Sequence, residues 1–265
     1  MKINSRERWY EAEKKLSVIF VDVTEAVAEL ARGHLSGPVA THYLGKACAA
    51  SALLASETSA AEETVIVQMK CSGPLGGFNV ECTAAGTLRG YTEKKVLDDF
   101  DGLGVPKDAA VLGETKYQIT HSVPGKILSQ GVAASLDEYL TGSLQRTAAI
   151  RVDAEVTDDV EVVGVRGALL ERLPDSPLSA ADWEEILEKF QQLSLGVASR
   201  KLLTQLGLKG AELKGADPLA FACRCSPERA EAILAALSEA ERETLPESID
   251  ITCHMCGKTF TVRTK

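Results

Sequence analysis

An α+β chain in three parts is what the sequence predicts: a core domain with a mixed or antiparallel sheet and packed helices over residues 1–173, a helical linker over 174–220, and a small C-terminal domain over 221–265. Three observations carry this. Through Leu173, strand-like runs alternate with helix-period runs, joined by turns containing Gly and Pro. Pro174 and Pro177 in "LPDSPLS" then interrupt the chain, and the pattern becomes helical. From Phe221 onward, two closely spaced cysteine pairs bracket a helical stretch.

Within the core, "LSVIFVDV" is strand-like, and "TEAVAELARGHL" follows as a helix with Thr24 expected at its N-cap. Gly37-Pro38 opens a second helix, in which Leu44, Ala47 and Cys48 share one face. "TVIVQMKC", "FNVECTA" and "GTLRGYT" form a meander whose turns, "SGPLGG" first, use the backbone freedom of glycine. "TKYQITHSV" continues the sheet, "VAASLDEYLTGSLQ" is expected as a helix, and "AAIRVDAEV" with "VEVVGVRGALLERL" supply further strands.

In the linker, Ser179 and Asp182 set up a capping box before Trp183, Ile186, Leu187 and Phe190 at i, i+3, i+4, i+7 spacing. Leu202, Leu203 and Leu206 mark a second amphipathic segment before the Gly-rich "LGLKGAELKGADP". These read either as ordinary surface helices or as a linker resting on the core and releasable from it. In the tail, Ser226 caps and Pro227 opens a helix, Ser238 with Glu241 opens a shorter one, and "IDITCHMCGKTFTVRTK" reads as a hairpin round a Cys-x-x-Cys turn.

Hydrophobic residues make up 45% and charged residues 25% of the 265 residues, enough apolar material for a sizeable core. The net charge of −9 argues against nucleic-acid and anionic-membrane partners, which need a basic surplus. "LSVIFV" is too short to cross a bilayer, and the charged opening "MKINSRERWYEAEKK" has no apolar signal region, so a cytoplasmic location is expected. In a reducing compartment, clustered cysteines point to metal or redox chemistry rather than to structural bridges.

Cys223 and Cys225 form a C-x-C pair, and across 27 intervening residues Cys253 and Cys256 form a C-x-x-C pair. Four thiolates surround a zinc ion tetrahedrally, and two short pairs joined by a helix suit that geometry, so one Zn2+ per chain is expected on these four residues. A tail of about 45 residues rarely folds on its apolar core alone, and a metal is a common remedy. The same residues are compatible with other uses: a thioredoxin-like C-x-x-C, a catalytic cysteine served by His34, His42 or His121, and His254 as a ligand. Cys48, Cys71 and Cys82 read as small buried hydrophobes. Arg224, Arg229, Lys258 and Arg263 are close enough in sequence to offset the charge of a tetrathiolate. Whether such a site is inert or responds to oxidants is open at this level.

"FACRCSPERAEAILAAL" followed by "CHMC" resembles the zinc module of the heat-shock protein 33 family, the redox-regulated holdase chaperones, in order and spacing. "SGPLGGFNVECTAAGTLRGYT" is similar to the family's Gly-Pro-x-Gly-Gly strand-turn and Arg-Gly-Tyr motif, and "GVRGALLERLP" to the close of its core domain. Leu144 in "TGSLQ" stands where the family commonly has an acid. The resemblance implies a chaperone rather than an enzyme, with a small zinc-binding C-terminal domain acting as the switch. It implies that oxidation pairs Cys223 with Cys225 and Cys253 with Cys256, that zinc leaves, and that the active form holds unfolded clients without ATP and tends to dimerise. No G-x-x-x-x-G-K-[ST] phosphate loop is present. The competing expectation is a constitutive protein-interaction adaptor with a purely structural four-cysteine module.

Overall fold

The computed structural model describes residues 4–58, 60–104 and 106–264. Its first sheet is antiparallel throughout, in the order β10-β1-β2-β9-β8. The members are β1 (Ser5–Glu11), β2 (Leu16–Asp22), β8 (Thr147–Val156), β9 (Val162–Arg172) and β10 (Glu212–Pro218). The second sheet runs β11-β5-β4-β3-β6-β7. It is built from β3 (Thr64–Cys71), β4 (Gly77–Thr83), β5 (Thr87–Thr92), β6 (Thr115–Val123), β7 (Lys126–Ala133) and β11 (Ala220–Phe221). β11 alone is parallel, on β5, so the mixed α+β architecture expected from the sequence is present.

Between the sheets lie α1 (Thr24–His34) and α2 (Pro38–Leu54), and one apolar cluster joins both helices to the inner faces of both sheets. Leu44, Ala47 and Cys48 are buried as expected, but α2 is covered almost all round because sheets press on it from both sides. The strand β2 explains its unbroken apolar run in the same way. Leu16, Val18 and Phe20 enter a second cluster on the outer face, while Ile19 and Val21 enter the central one.

That second cluster is where the linker lies. α5 (Ala180–Gln191) begins with the expected Ser179–Asp182 capping box, and α6 (Ser199–Gln205) follows. Trp183, Ile186, Phe190, Leu202, Leu203 and Leu206 are buried against Trp9, Phe20 and Leu170 of the sheet, with Leu187 half-buried at the margin. The segment is not helical throughout. Its Gly-rich end forms β10, which pairs with β1 from Ser5↔Pro218 to Tyr10↔Glu212 across a bulge at Arg8/Trp9.

Two local expectations differ from the structure. Val23, not Thr24, occupies the N-cap of α1. Thr24 is the first helical residue, with its hydroxyl 2.7 Å from Asp22 Oδ1 and accepting the Val165 N–H at 3.0 Å. The first free amide of the helix, Thr24 N–H, donates to Asp22 Oδ1 at 3.1 Å, and the next, Glu25 N–H, donates to Asn4 Oδ1 at 3.1 Å. "VAASLDEYLTGSLQ" is not one helix. Its start belongs to β7, and only α4 (Leu136–Glu138) and a wide π-type turn over Tyr139–Ser143 follow; α3 (Asp108–Val111) is a further short helix of the core. The charged segment containing β1, to which the sequence reading assigns no element, is an interior strand. Arg6, 3% exposed, reaches the carbonyls of Ala52 and Ala84 and pairs with Asp217 at 3.4 Å.

Burial holds the pKa values of His34 and His42 below their ordinary 6.5, for His42 with help from nearby Lys46. Both stay neutral in the fold while the unfolded chain takes up protons below about pH 6.5, so their share of stability is present above that pH and lost as pH falls. The urea midpoint is therefore expected to drop between pH 7.5 and 5.5; a midpoint constant across this window would contradict the assignment.

Candidate metal centre

The C-terminal lobe starts where β11 leaves the second sheet. Ser226 accepts the Arg229 N–H and Pro227 occupies the first turn of α7 (Pro227–Ala235); a second capping box, Ser238 with Glu241, opens α8 (Glu239–Glu243). β12 (Ser248–Thr252) and β13 (Thr259–Arg263) then form a hairpin, paired from Ser248↔Arg263 to Thr252↔Thr259. Its turn is a knuckle: Cys253 N–H donates to Lys258 at 2.9 Å, and Gly257 N–H returns to the Cys253 carbonyl at 2.8 Å. Ala230, Leu234, Phe260 and Val262 are the buried hydrophobes of the lobe's own cluster. That is a thin core for so many residues.

Folding of the lobe brings Cys223, Cys225, Cys253 and Cys256 together, all four sulfurs within 4.8 Å of one another. Two of the contacts run between the two motifs, Cys223 to Cys253 at 3.8 Å and Cys225 to Cys256 at 3.5 Å. Four sulfurs about 2.3 Å from one ion at tetrahedral corners stand about 3.8 Å apart, so the set fits a single tetrahedral metal ion. His254 is not part of the cluster; its ring meets Tyr91 edge-on at 5.8 Å. Cys48 and Cys82 are buried in the core, and Cys71 is half-buried there, all three with thiols pushed up by burial. Burial also raises the thiols of Cys225 and Cys256. At Cys223 burial is outweighed by the Cys225 backbone N–H and the Arg89 guanidinium, which bring the thiol down to about 7.

The basic residues near the cysteines in sequence do other work. Arg224 pairs with Glu81 at 2.9 Å, Arg229 donates to the Arg224 carbonyl, and Lys258 lies over the Phe260 ring. The guanidinium that reaches sulfur belongs to the core: Arg89 Nη1 is 3.8 Å from Cys223 Sγ. Sequence distance concealed it, since 134 positions separate the two residues. Its place in the Arg-Gly-Tyr motif was the available signal. A cavity of about 310 Å³ opens beside the centre, between Arg89, Arg229, Ile233 and Cys253.

The knuckle seats on the core through backbone. Gly90 N–H donates to the Met255 carbonyl at 3.1 Å, and Gly33 of α1 faces Gly257, whose φ is 74°. A Cβ on Gly33 would stand 2.4 Å from the Cys256 carbonyl oxygen. Alanine is the better helix residue by about 1 kcal/mol, so Gly33→Ala is expected to leave α1 intact yet unseat the lobe. Limited proteolysis should then cut the tail faster than in the native chain; equal rates would refute the close approach.

Fold and site together define an α+β protein whose C-terminal lobe carries a four-cysteine cluster able to hold a metal ion. A profile of the family described as "Hsp33 protein" matches residues 7–263. The 33 kDa chaperonin of Symbiobacterium thermophilum is 31% identical over 262 residues, covering 91% of this chain and 88% of that one. The 33 kDa chaperonin of Desulforamulus reducens is 28% identical, covering 89% and 86%. The fold is similar to the crystal structure of the 33 kDa chaperonin (heat shock protein 33 homolog) from Thermotoga maritima, with a TM-score of 0.86, 18% identity, and coverage of 99% of this chain and 96% of that one. This chain belongs to the Hsp33 family, whose members compared here are named as chaperonins. Among the described residues, no helix is long and apolar enough to cross a membrane.

Proposed function

We propose that this chain is a redox-regulated, ATP-independent holdase of the cytoplasm, resting while Cys223, Cys225, Cys253 and Cys256 hold one Zn2+ and activated when they are oxidised. The observation that carries the reading is the four-sulfur cluster in a lobe with a thin core, continuous with a linker that covers an apolar sheet face. A bound Zn2+ would keep all four sulfurs as thiolates and supply folding free energy on the order of 10 kcal/mol.

An oxidant such as hydrogen peroxide accepts two electrons from a pair of thiolates. One thiolate attacks the O–O bond and becomes a sulfenic acid with loss of hydroxide; the second displaces a further hydroxide and closes the disulfide. The pairs we assign are Cys223 with Cys225 and Cys253 with Cys256. Disulfide sulfur no longer holds the metal, and the lobe loses its main support. Units 221–265 and 174–220 then detach from the core unit 1–173. Trp183, Phe190 and Leu203, together with the sheet face beneath them, become available to unfolded client proteins, and the exposed apolar surface favours a homodimer.

The test is metal and thiol counting before and after peroxide with mild heat, beside an aggregation assay on a denatured test protein. One zinc and four protected thiols lost together, with holding activity gained and reversed by dithiothreitol, support the reading. Zinc retained, or released with no gain in holding, would support the constitutive adaptor instead.

A further inference from the structure

The Arg-Gly-Tyr motif lies on β5, in the core, yet each of its residues meets the metal lobe. Arg89 reaches Cys223 Sγ at 3.8 Å, Gly90 N–H binds the Met255 carbonyl at 3.1 Å, and the Tyr91 ring meets His254 at 5.8 Å. The guanidinium is not free to wander. Glu81, 8% exposed on the neighbouring strand, accepts from Arg89 Nε and, at 2.9 Å, from Arg224 of the lobe. One buried carboxylate thus aligns a core arginine and ties it to the C-x-C segment.

We infer that Arg89 is a positioning residue of the metal centre, whose guanidinium, held by Glu81, shields the Cys223 sulfur and slows its oxidation while the lobe is seated. The inference rests on the metal-binding reading above. A metal-bound thiol is already deprotonated, so a hydrogen bond to it cannot raise the thiolate fraction. What it does is withdraw electron density, and the nucleophilicity of a thiolate falls with its basicity. In the step at issue the Cys223 sulfur forms a bond to one peroxide oxygen, the O–O bond breaks, and hydroxide leaves with the electron pair. Attack by the Cys225 thiolate then forms the S–S bond and releases the second hydroxide. The N–H···S contact acts against the first bond formed. Because Arg89 is on the core and Cys223 is on the lobe, the shield exists only across their interface. A lobe that lifts off loses it, so seating and sulfur reactivity are linked through one side chain.

The experiment compares full-length, reduced, zinc-loaded native chain with Arg89→Gln and Arg89→Lys. Zinc release at fixed hydrogen peroxide is followed with a chromophoric chelator, and the alkylation rate of each cysteine by mass spectrometry. Arg89→Gln is expected to start with the same zinc content and to release it about three- to tenfold faster, the effect of one charge-assisted hydrogen bond scaled by the fraction of thiolate basicity that appears in nucleophilicity. Arg89→Lys, with the charge but not the fixed fork, should fall between, and it serves alone if the Gln variant does not fold. The site-specific readout excludes a merely structural role: Cys223 should be accelerated over Cys253, whereas general loosening accelerates all four alike. Unchanged release in both variants, or uniform acceleration, overturns the inference. A native chain without zinc would sink the metal-binding reading instead, while a Cys223-to-Cys253 ratio shifted in either direction would still report the contact.

Discussion

Replacing Cys253 by serine is expected to reduce bound zinc from about one per chain to near zero and to unfold the C-terminal lobe while leaving the core folded. The sulfur of Cys253 lies 3.8 Å from that of Cys223, and a hydroxyl is a poor, protonated substitute in a tetrathiolate set. Without the ion, the lobe keeps four buried hydrophobes of its own and a two-stranded hairpin, too little to offset the ordering of its backbone. Loss of support on the order of 10 kcal/mol leaves no folded population to detect. Hydrogen exchange should lose protection over residues 226–263 and keep it in α2 and β3, whose side chains belong to the central cluster. Metal analysis of the same sample closes the test: zinc content equal to the native chain would remove Cys253 from the ligand set.

Phe190→Ala is expected to free the linker without touching a sulfur. Phe190 is fully buried in the outer cluster, and its carbonyl accepts from Arg151 Nη1 at 3.1 Å, so truncation opens a cavity between α5 and the sheet. Removing a phenyl ring from such a site costs about 3–5 kcal/mol, while Phe190→Leu should cost markedly less. Local opening at that cost exposes Trp183, Leu203 and the β2 face, which an apolar fluorescent dye reads directly. If this face receives clients, Phe190→Ala should suppress aggregation in the reduced, zinc-loaded state, where the native chain does not. Dye binding without holding activity would place the client surface elsewhere.

Legibility varied along the chain for physical reasons. The capping boxes at Ser179 and Ser238 and the Pro227 helix start were readable because they depend on neighbours within one turn. The meander from Thr64 to Thr92 was readable because its alternation and turn residues are local. β7 was not: as an outer strand it is exposed along most of its length, so no alternation marks it, and its end ran on into a helical stretch. β1 and β10 were hidden in charge and glycine. What makes them strands is each other, with Arg6 and Arg8 both answered by Asp217 about two hundred positions away. Thr24 looked like a cap by type, but Asp22 and the distant Asn4 accept from the first helix amides instead.

The sequence by itself determined the four sulfurs and their spacing, the hairpin and helix between them, and a tail too poor in apolar residues to stand alone, because ligand type and short-range spacing are properties of the chain. Only the tertiary structure decided that the linker covers the outer sheet face, that Gly33 receives the knuckle, and that Arg89 of β5 stands against Cys223. These contacts join residues far apart in the chain, and nothing local encodes them: they exist because two sheets, packed on α1 and α2, set the faces and strands that the linker and the lobe meet.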